Sequence, residues 1–221
     1  MHKYYFYFII LSMKNKNQKI LLIIIPIILF ILLAIYVQAE LSSNIGAFIH
    51  DKIISSRSDI LTNIIKIITY SGNTISVIII CLVFLLIKKT RLKIGLPVSI
   101  SLIISALLNN LLKIIFARQR PSIIALINET GYSFPSGHTM NSACLYTMLL
   151  LLINKYITNK KIKIPITIIC ILMPILIGLS RIYLGVHYTT DVLGGYLLGV
   201  TIAISSYYLY NLITNKKNKT N

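Results

Sequence analysis

The chain has 221 residues, of which 56% are hydrophobic and 12% charged. A soluble domain carries roughly 25% charged residues, so this chain cannot present an ordinary water-facing surface. The net charge of +17 raises nucleic acid as a partner, but the cations stand at the ends of apolar runs rather than along one face, and that pattern excludes it.

Residues 1–19 read as a cytoplasmic N-terminal segment. Within it, Met13 opens a basic stretch and would itself serve as a start, which would leave 1–12 as an extension. The apolar run 20–37 predicts a first membrane helix over 20–38. Val37-Gln38-Ala39 resembles a signal-peptidase site, but the run exceeds the usual length of about 7–15 residues, so the helix is expected to remain uncleaved. Segment 40–72 is more polar, and its Ile45, Phe48, Ile49, Ile53, Ile60, Ile64, Ile67 and Ile68 recur at helical spacing. It is expected to hold amphipathic helices lying on the outer membrane face.

A second membrane helix is predicted over 73–88 and a third over 94–115, with Asn109, Asn110 and Lys113 near its outer end. Residues 116–137 form an external loop rich in Arg, Pro, Ser and Gly. Helices follow over 138–155, 164–182 and 188–212, the last two joined by a turn holding Gly185. Residues 213–221 are a basic cytoplasmic tail. The fold class is all-α, since only helices or closed barrels span lipid. The expected architecture is a polytopic bundle of six membrane helices over 20–212, with an external amphipathic segment and no separate soluble domain.

Charge supports this count. Lys14, Lys16 and Lys19, then Lys88, Lys89, Arg91 and Lys93, then Lys155, Lys160, Lys161 and Lys163, then Lys216, Lys217 and Lys219 form clusters free of acids. Glu40, Asp51, Asp59, Glu129 and Asp191 all fall in the alternate segments. Basic loops mark the cytoplasmic side, so six spans leave both termini inside; the clusters can also touch anionic lipid headgroups. Cys81, Cys144 and Cys170 lie in apolar runs without metal-site spacing and read as small hydrophobes. His2 and His50 fall outside any motif and receive no role.

Three polar patches interrupt the apolar pattern: Lys113-x6-Arg120-Pro121, Phe134-Pro135-Ser136-Gly137-His138, and Ser180-Arg181-x5-His187-x3-Asp191. Counting spans brings all three to the outer membrane face. Arg and Lys clamp phosphoryl oxygens, and a helix N-terminus adds backbone donors. Gly137 permits close approach, and the Ser136 hydroxyl can donate. The set fits a tetrahedral oxyanion. No acidic cluster is available to hold Mg²⁺ or Ca²⁺, so no metal and no cofactor is expected. His187 and Asp191 are four apart and share a helix face. A carboxylate on one ring nitrogen fixes the tautomer and leaves the other as nucleophile. His138 can protonate a departing oxygen.

Together these patches resemble the signature of the type 2 phosphatidic acid phosphatase superfamily, with every signature position filled in order. The resemblance implies phosphate binding by Lys113, Arg120, Ser136, Gly137 and Arg181. It implies His187 as nucleophile, Asp191 as its orienting partner and His138 as acid. It implies a metal-independent membrane phosphatase acting on a lipid phosphate or diphosphate through phosphohistidine, with the site on the extracytoplasmic face. Undecaprenyl diphosphate ranks first as substrate, then phosphatidylglycerophosphate or phosphatidate. The partners expected are that lipid and the surrounding membrane lipids. A vanadate-dependent haloperoxidase would use the same cradle, but such relatives are soluble. A non-catalytic lipid-phosphate binding or transport protein would not need His138, His187 and Asp191. Singly, Lys113 or Arg181 could be a snorkelling residue and His138 a helix cap; the joint spacing argues otherwise. Tyr132, Phe134, Tyr183 and Tyr188 flank the site as interfacial anchors or as the lining of a lipid entrance.

Overall fold

The computed structural model describes residues 16–39, 52–53, 55–121 and 125–217. His2, Met13, Glu40, Ile45, Phe48, Ile49, His50, Asp51 and the last residues of the tail lie outside them. Every regular element among the described residues is helical.

In chain order these are α1 (Lys16–Gln38), α2 (Asp59–Ser71), α3 (Thr74–Leu86), α4 (Leu96–Phe116) entered through a π-helical turn (Arg91–Gly95), α5 (Gly137–Tyr156), α6 (Lys160–Tyr183) and α7 (Thr189–Lys217). The helix starts follow side-chain capping. Ser58 Oγ accepts from Leu61 N, Asn73 Oδ1 from Ser76 N, and Asn159 Oδ1 from Lys161 N. The Asn159 cap starts α6 earlier than the apolar run alone indicates.

The segment expected to be amphipathic contains α2, whose Ile60, Ile64 and Ile67 are exposed while Thr69 is buried. It does not stand apart from the next helix. A 47° bend joins α2 and α3 into a single broken apolar unit.

Among the described residues four helices are long and apolar enough to cross a membrane, and five if the bent pair is one span. The sixth expected span, α5, falls short on composition for a physical reason. It lies at the centre of the bundle, where most of its residues are buried, Thr139, Ser142, Met148 and Leu152 among them. A helix enclosed by protein need not be apolar all round, because its polar groups face neighbours instead of lipid. The outer helices show the converse. Leu32, Ile35, Ile103, Leu107, Ile168 and Ile169 are all exposed, a belt far too apolar for a water-facing surface.

The α5–α7 contact sets the bundle's geometry. A Cβ on Gly195 would lie 2.8 Å from Ser136 O, and one on Gly199 would lie 2.3 Å from Met140 O. This pair, four residues apart, lets two backbones touch, as small-xxx-small pairs do within membranes. On the other side of α7, Phe30 of α1 stacks on Phe134 at 5.6 Å, and Phe116 meets Phe134 edge-on at 5.0 Å. Phe134 is fully buried and Tyr183 nearly so, so neither is an interfacial anchor. The Tyr183 hydroxyl is held in the interior, 3.0 Å from Thr62 Oγ1.

The basic ends of the helices gather at the pole away from these aromatics. Lys155 Nζ donates to Asn211 Oδ1, Tyr210 donates to Leu92 O at 3.0 Å, and Lys93 lies over the Tyr156 ring.

Candidate active site

Four helix ends meet at the opposite pole: the last turn of α4, the first of α5, the last of α6 and the first of α7. Short contacts lock them together. Asn109 Nδ2 donates to Pro135 O at 3.1 Å, Ser136 N to Asp191 O at 3.0 Å, and Leu126 N to Leu184 O at 2.9 Å. All eight residues singled out by the sequence sit at this pole.

The motif residues of the third patch are all buried. Asp191, in the first turn of α7, is fully buried, and His187 is 1% exposed. Asp191 Oδ2 lies 3.2 Å from His187 Nδ1 and accepts from Tyr188 N at 2.9 Å. Nε2, the other ring nitrogen, lies 3.1 Å from Arg120 Nη1. A guanidinium can only donate, so Nε2 holds its lone pair and the proton is on Nδ1, facing Asp191. Burial pushes the His187 pKa down to about 4, against the opposing pull of Asp191. At neutral pH the ring is therefore uncharged, with its free nitrogen among cations.

Those cations come from three elements. Arg120 is fixed by its own loop: Nε donates to Gly131 O at 2.9 Å and Nη2 to Thr130 O at 3.0 Å. Arg181 is fully buried at the end of α6 and donates to Thr69 Oγ1 of α2 at 2.9 Å. Its Nε has no partner among the described residues. Lys113 Nζ donates to Tyr132 O at 2.8 Å. His138, in the first turn of α5, is within electrostatic reach of Arg181, Glu129, His187 and Lys113.

Ser136 Oγ accepts from Thr139 Oγ1 at 3.0 Å, which leaves its own proton available to donate. Gly137 is also confined by packing: a Cβ there would lie 2.9 Å from Asn109 Oδ1, so a larger residue would displace the Asn109 side chain between α4 and α5.

Two participants escaped the sequence reading. Glu129, seen there only as one of five acids, places Oε1 2.5 Å from Arg181 Nη2 and Oε2 3.9 Å from Arg120 Nη2. Burial alone would raise its pKa, but the surrounding cationic groups, Arg181 first and Arg120 with it, together hold the carboxyl below the usual range. Arg118, inside the x6 stretch of the first patch, places Nη1 2.6 Å from Asp191 Oδ1. A signal for Arg118 existed. Along extended chain alternate residues share a side, so Arg118 accompanies Arg120 toward α7 while Gln119 between them is exposed. Glu129 carried no comparable local signal.

Buried guanidinium groups around an uncharged imidazole can receive an oxyanion, and here they lie at one pole of the helical bundle of a multi-pass membrane protein. Among the described residues no group of three or more His, Cys, Asp and Glu side chains could hold a metal ion. The profile of the PAP2 superfamily matches residues 94–215, and the chain belongs to that superfamily. It is 44% identical over 97 residues to phosphatidylglycerophosphatase B of Bacillus subtilis, a match covering 43% of this chain and 48% of that protein. The chain thus matches about half the length of that relative. It is 29% identical to the undecaprenyl-diphosphatase of Sulfolobus acidocaldarius, over 81% of this chain and 86% of that one. The crystal structure of a PAP2-type phosphatidylglycerolphosphate phosphatase from Bacillus subtilis superposes with a TM-score of 0.76 at 30% identity, covering 89% of this chain and 97% of that one. That of Aquifex aeolicus LpxE superposes with a TM-score of 0.61 at 27% identity, over 73% and 94% respectively.

Proposed function

We propose that the chain is a metal-independent lipid phosphatase working through a phosphohistidine on His187. The observation that carries this reading is the fixed tautomer: Asp191 holds Nδ1, and Nε2 presents its lone pair beside Arg120. Substrate phosphate oxygens take the guanidiniums of Arg120 and Arg181, the Lys113 ammonium, the Ser136 hydroxyl and the backbone around Gly137 at the start of α5. Nε2 attacks phosphorus, the bond to the leaving oxygen breaks, and His138 gives that oxygen its proton. Water then attacks phosphorus and yields a proton to His138, while the phosphorus–nitrogen bond breaks and its electron pair returns to Nε2. Inorganic phosphate and the neutral His187 ring result. Arg120 leaves Nε2 for a phosphate oxygen as the substrate enters.

The bundle is read as six spans, with α2 and α3 forming one and α5 the enclosed sixth; at about 1.5 Å per residue, α5 is long enough for a hydrocarbon core. Residues 20–212 form the membrane domain, flanked by cytoplasmic segments 1–19 and 213–221. The basic pole faces the cytoplasm and the site faces outward. A membrane-embedded chain with a phosphate cradle at its outer face suits a polyprenyl diphosphate, undecaprenyl diphosphate first, then phosphatidylglycerophosphate or phosphatidate. The likeness to an undecaprenyl-diphosphatase over 81% of this chain supports the first of these, and the likeness to phosphatidylglycerophosphate phosphatases supports the second.

The test is phosphate release by detergent-purified protein across these lipids, combined with rapid-quench trapping of acid-labile, base-stable phosphoprotein. Wild type should turn over and trap; His187→Ala should do neither. His138→Ala should phosphorylate slowly from a lipid alcohol, with a deficit of about 10²–10⁴-fold that shrinks for a nitrophenyl leaving group. Phosphohistidine at wild-type level in His187→Ala would move the nucleophile elsewhere. Lipid binding without phosphate release from any of these lipids would establish a carrier instead.

A further inference from the structure

The first patch carries a third cation, Arg118, whose guanidinium reaches Asp191. Arg118 follows Ala117, which ends α4 in the left-handed region at φ 44° and turns the chain toward α7. Its backbone is tied to the segment entering α5, since Ser133 N donates to Arg118 O at 2.8 Å and Ser133 Oγ to Gln119 O at 3.1 Å. Its guanidinium donates to Asp191 Oδ1 at 2.6 Å and to Thr190 Oγ1 at 2.7 Å. It also lies over the Tyr188 ring, 4.1 Å from the centroid.

The carboxylate it meets is fully buried, and its other oxygen serves His187. Without Arg118 the carboxylate would face only the neutral His187 ring and the Tyr188 amide, and its charge would be uncompensated, which is strongly unfavourable in a low-dielectric interior. The Tyr188 amide and His187 both engage Oδ2, so Oδ1 would lose its ion-pair partner. Arg118 removes both problems. Its charge balances Asp191, and its hold on Oδ1 leaves Oδ2 as the oxygen facing Nδ1. Arg118 is itself gripped from two further directions, by Thr190 and by the face of Tyr188. A lysine could supply the charge, but not the planar fork or the stacking.

We propose that Arg118 is a positioning residue that locks Asp191 and, through it, the attacking tautomer of His187. The proposal rests on the His187 mechanism above. It assigns Arg118 to the chemical step, while Lys113, Arg120 and Arg181 bind the phosphate. Loss of Arg118 should therefore lower kcat and leave KM nearly unchanged. Outer groups that orient a ligating histidine are worth about 10–100-fold, and an effect of that size is expected here.

The experiment measures kcat, KM and the rapid-quench phosphorylation rate for wild type, Arg118→Ala and Arg118→Lys, purified in detergent. For Arg118→Ala, kcat and the phosphorylation rate should fall about 10–100-fold with KM within about threefold. Methylguanidine should restore part of the rate and methylammonium should not. Arg118→Lys, which keeps the charge and so protects the fold, should lie between the two. A raised KM with unchanged kcat would make Arg118 a substrate clamp and overturn the proposal. Unchanged phosphorylation in both variants would overturn it as well, with wild-type trapping showing the His187 mechanism to be intact. Absence of phosphohistidine in wild type would instead remove the mechanism itself, and the positioning role with it.

Discussion

Replacing Gly195 by alanine tests how closely the packing of α5 on α7 controls the site. The added Cβ would stand 2.8 Å from Ser136 O, 3.0 Å from Thr139 Cβ and 3.1 Å from Met140 N. Two of these neighbours are backbone, which cannot rotate away as a side chain can. Relief therefore requires the start of α5 to move off α7 by roughly half an ångström, an overpacking strain worth about 1–3 kcal/mol. The start of α5 carries Ser136, Gly137 and His138, and α7 carries Asp191. The displacement opens the gap between the proposed acid and the proposed nucleophile. Catalytic groups tolerate about 0.5 Å, and a 1 Å error can cost about 10²-fold, so kcat should fall about 10–100-fold. Gly199→Ala is the comparator. Its Cβ would meet Met140 O at 2.3 Å, a worse clash placed one helical turn deeper. It should destabilise more, yet cost less activity for each degree of thermal midpoint lost. The assays are phosphate release under saturating substrate and thermal unfolding, both in detergent. Gly195→Ala with wild-type kcat and stability would show that the backbones do not touch. Equal activity loss per degree in both variants would reduce the effect to general destabilisation.

Three further outcomes are expected. His187 has its folded pKa pushed down to about 4 from an ordinary value near 6.5, so the unfolded chain takes up the proton first; stability should decline as pH falls from about 6.5 to about 4 and level off below. In His187→Gln that slope should flatten, and an identical slope in both proteins would contradict the buried neutral ring. Phosphate release should persist in EDTA, because Arg and Lys neutralise the phosphate; loss of activity restored by Mg²⁺ would overturn the cation clamp. Vanadate, which adopts the five-coordinate shape of the transferring group, should inhibit competitively, and inhibition independent of substrate concentration would argue against the cradle.

Most helices were legible because apolar runs of membrane length have few alternative explanations. The exception is instructive. Helix α5 begins with polar residues, and its Thr139 and Ser142 are buried polar groups of the bundle's centre. The bend between α2 and α3 was not legible, because the residues on both sides read as helical and only packing decides their angle. At the site, fixed spacing exposed the motif residues. Arg118 lay hidden within an unspecified stretch, since its partner Asp191 is distant in sequence. Glu129 was hidden for the same reason. That Asn109 Oδ1 lies beside Gly137 was not legible either, because the two residues are distant in sequence.

The stacking of Phe30 on Phe134 has a consequence for where this protein begins as a physical object. The superfamily profile covers residues 94–215, and all eight motif positions fall inside it. Yet Phe134, one residue before the Pro-Ser-Gly-His run, rests on a ring that lies far upstream of that range. Phe30 also stands 3.4 Å from where a Gly194 side chain would begin, three residues past Asp191. Helix α2, equally outside the range, supplies the Thr69 hydroxyl to Arg181. The stretch that carries the family's chemistry is therefore not a stretch that closes on itself. Cut at residue 94, it would leave lipid against the back of its own active site, and one of its guanidiniums would lose a buried partner. The early helices, with none of the signature residues, are part of the wall that keeps those residues in place.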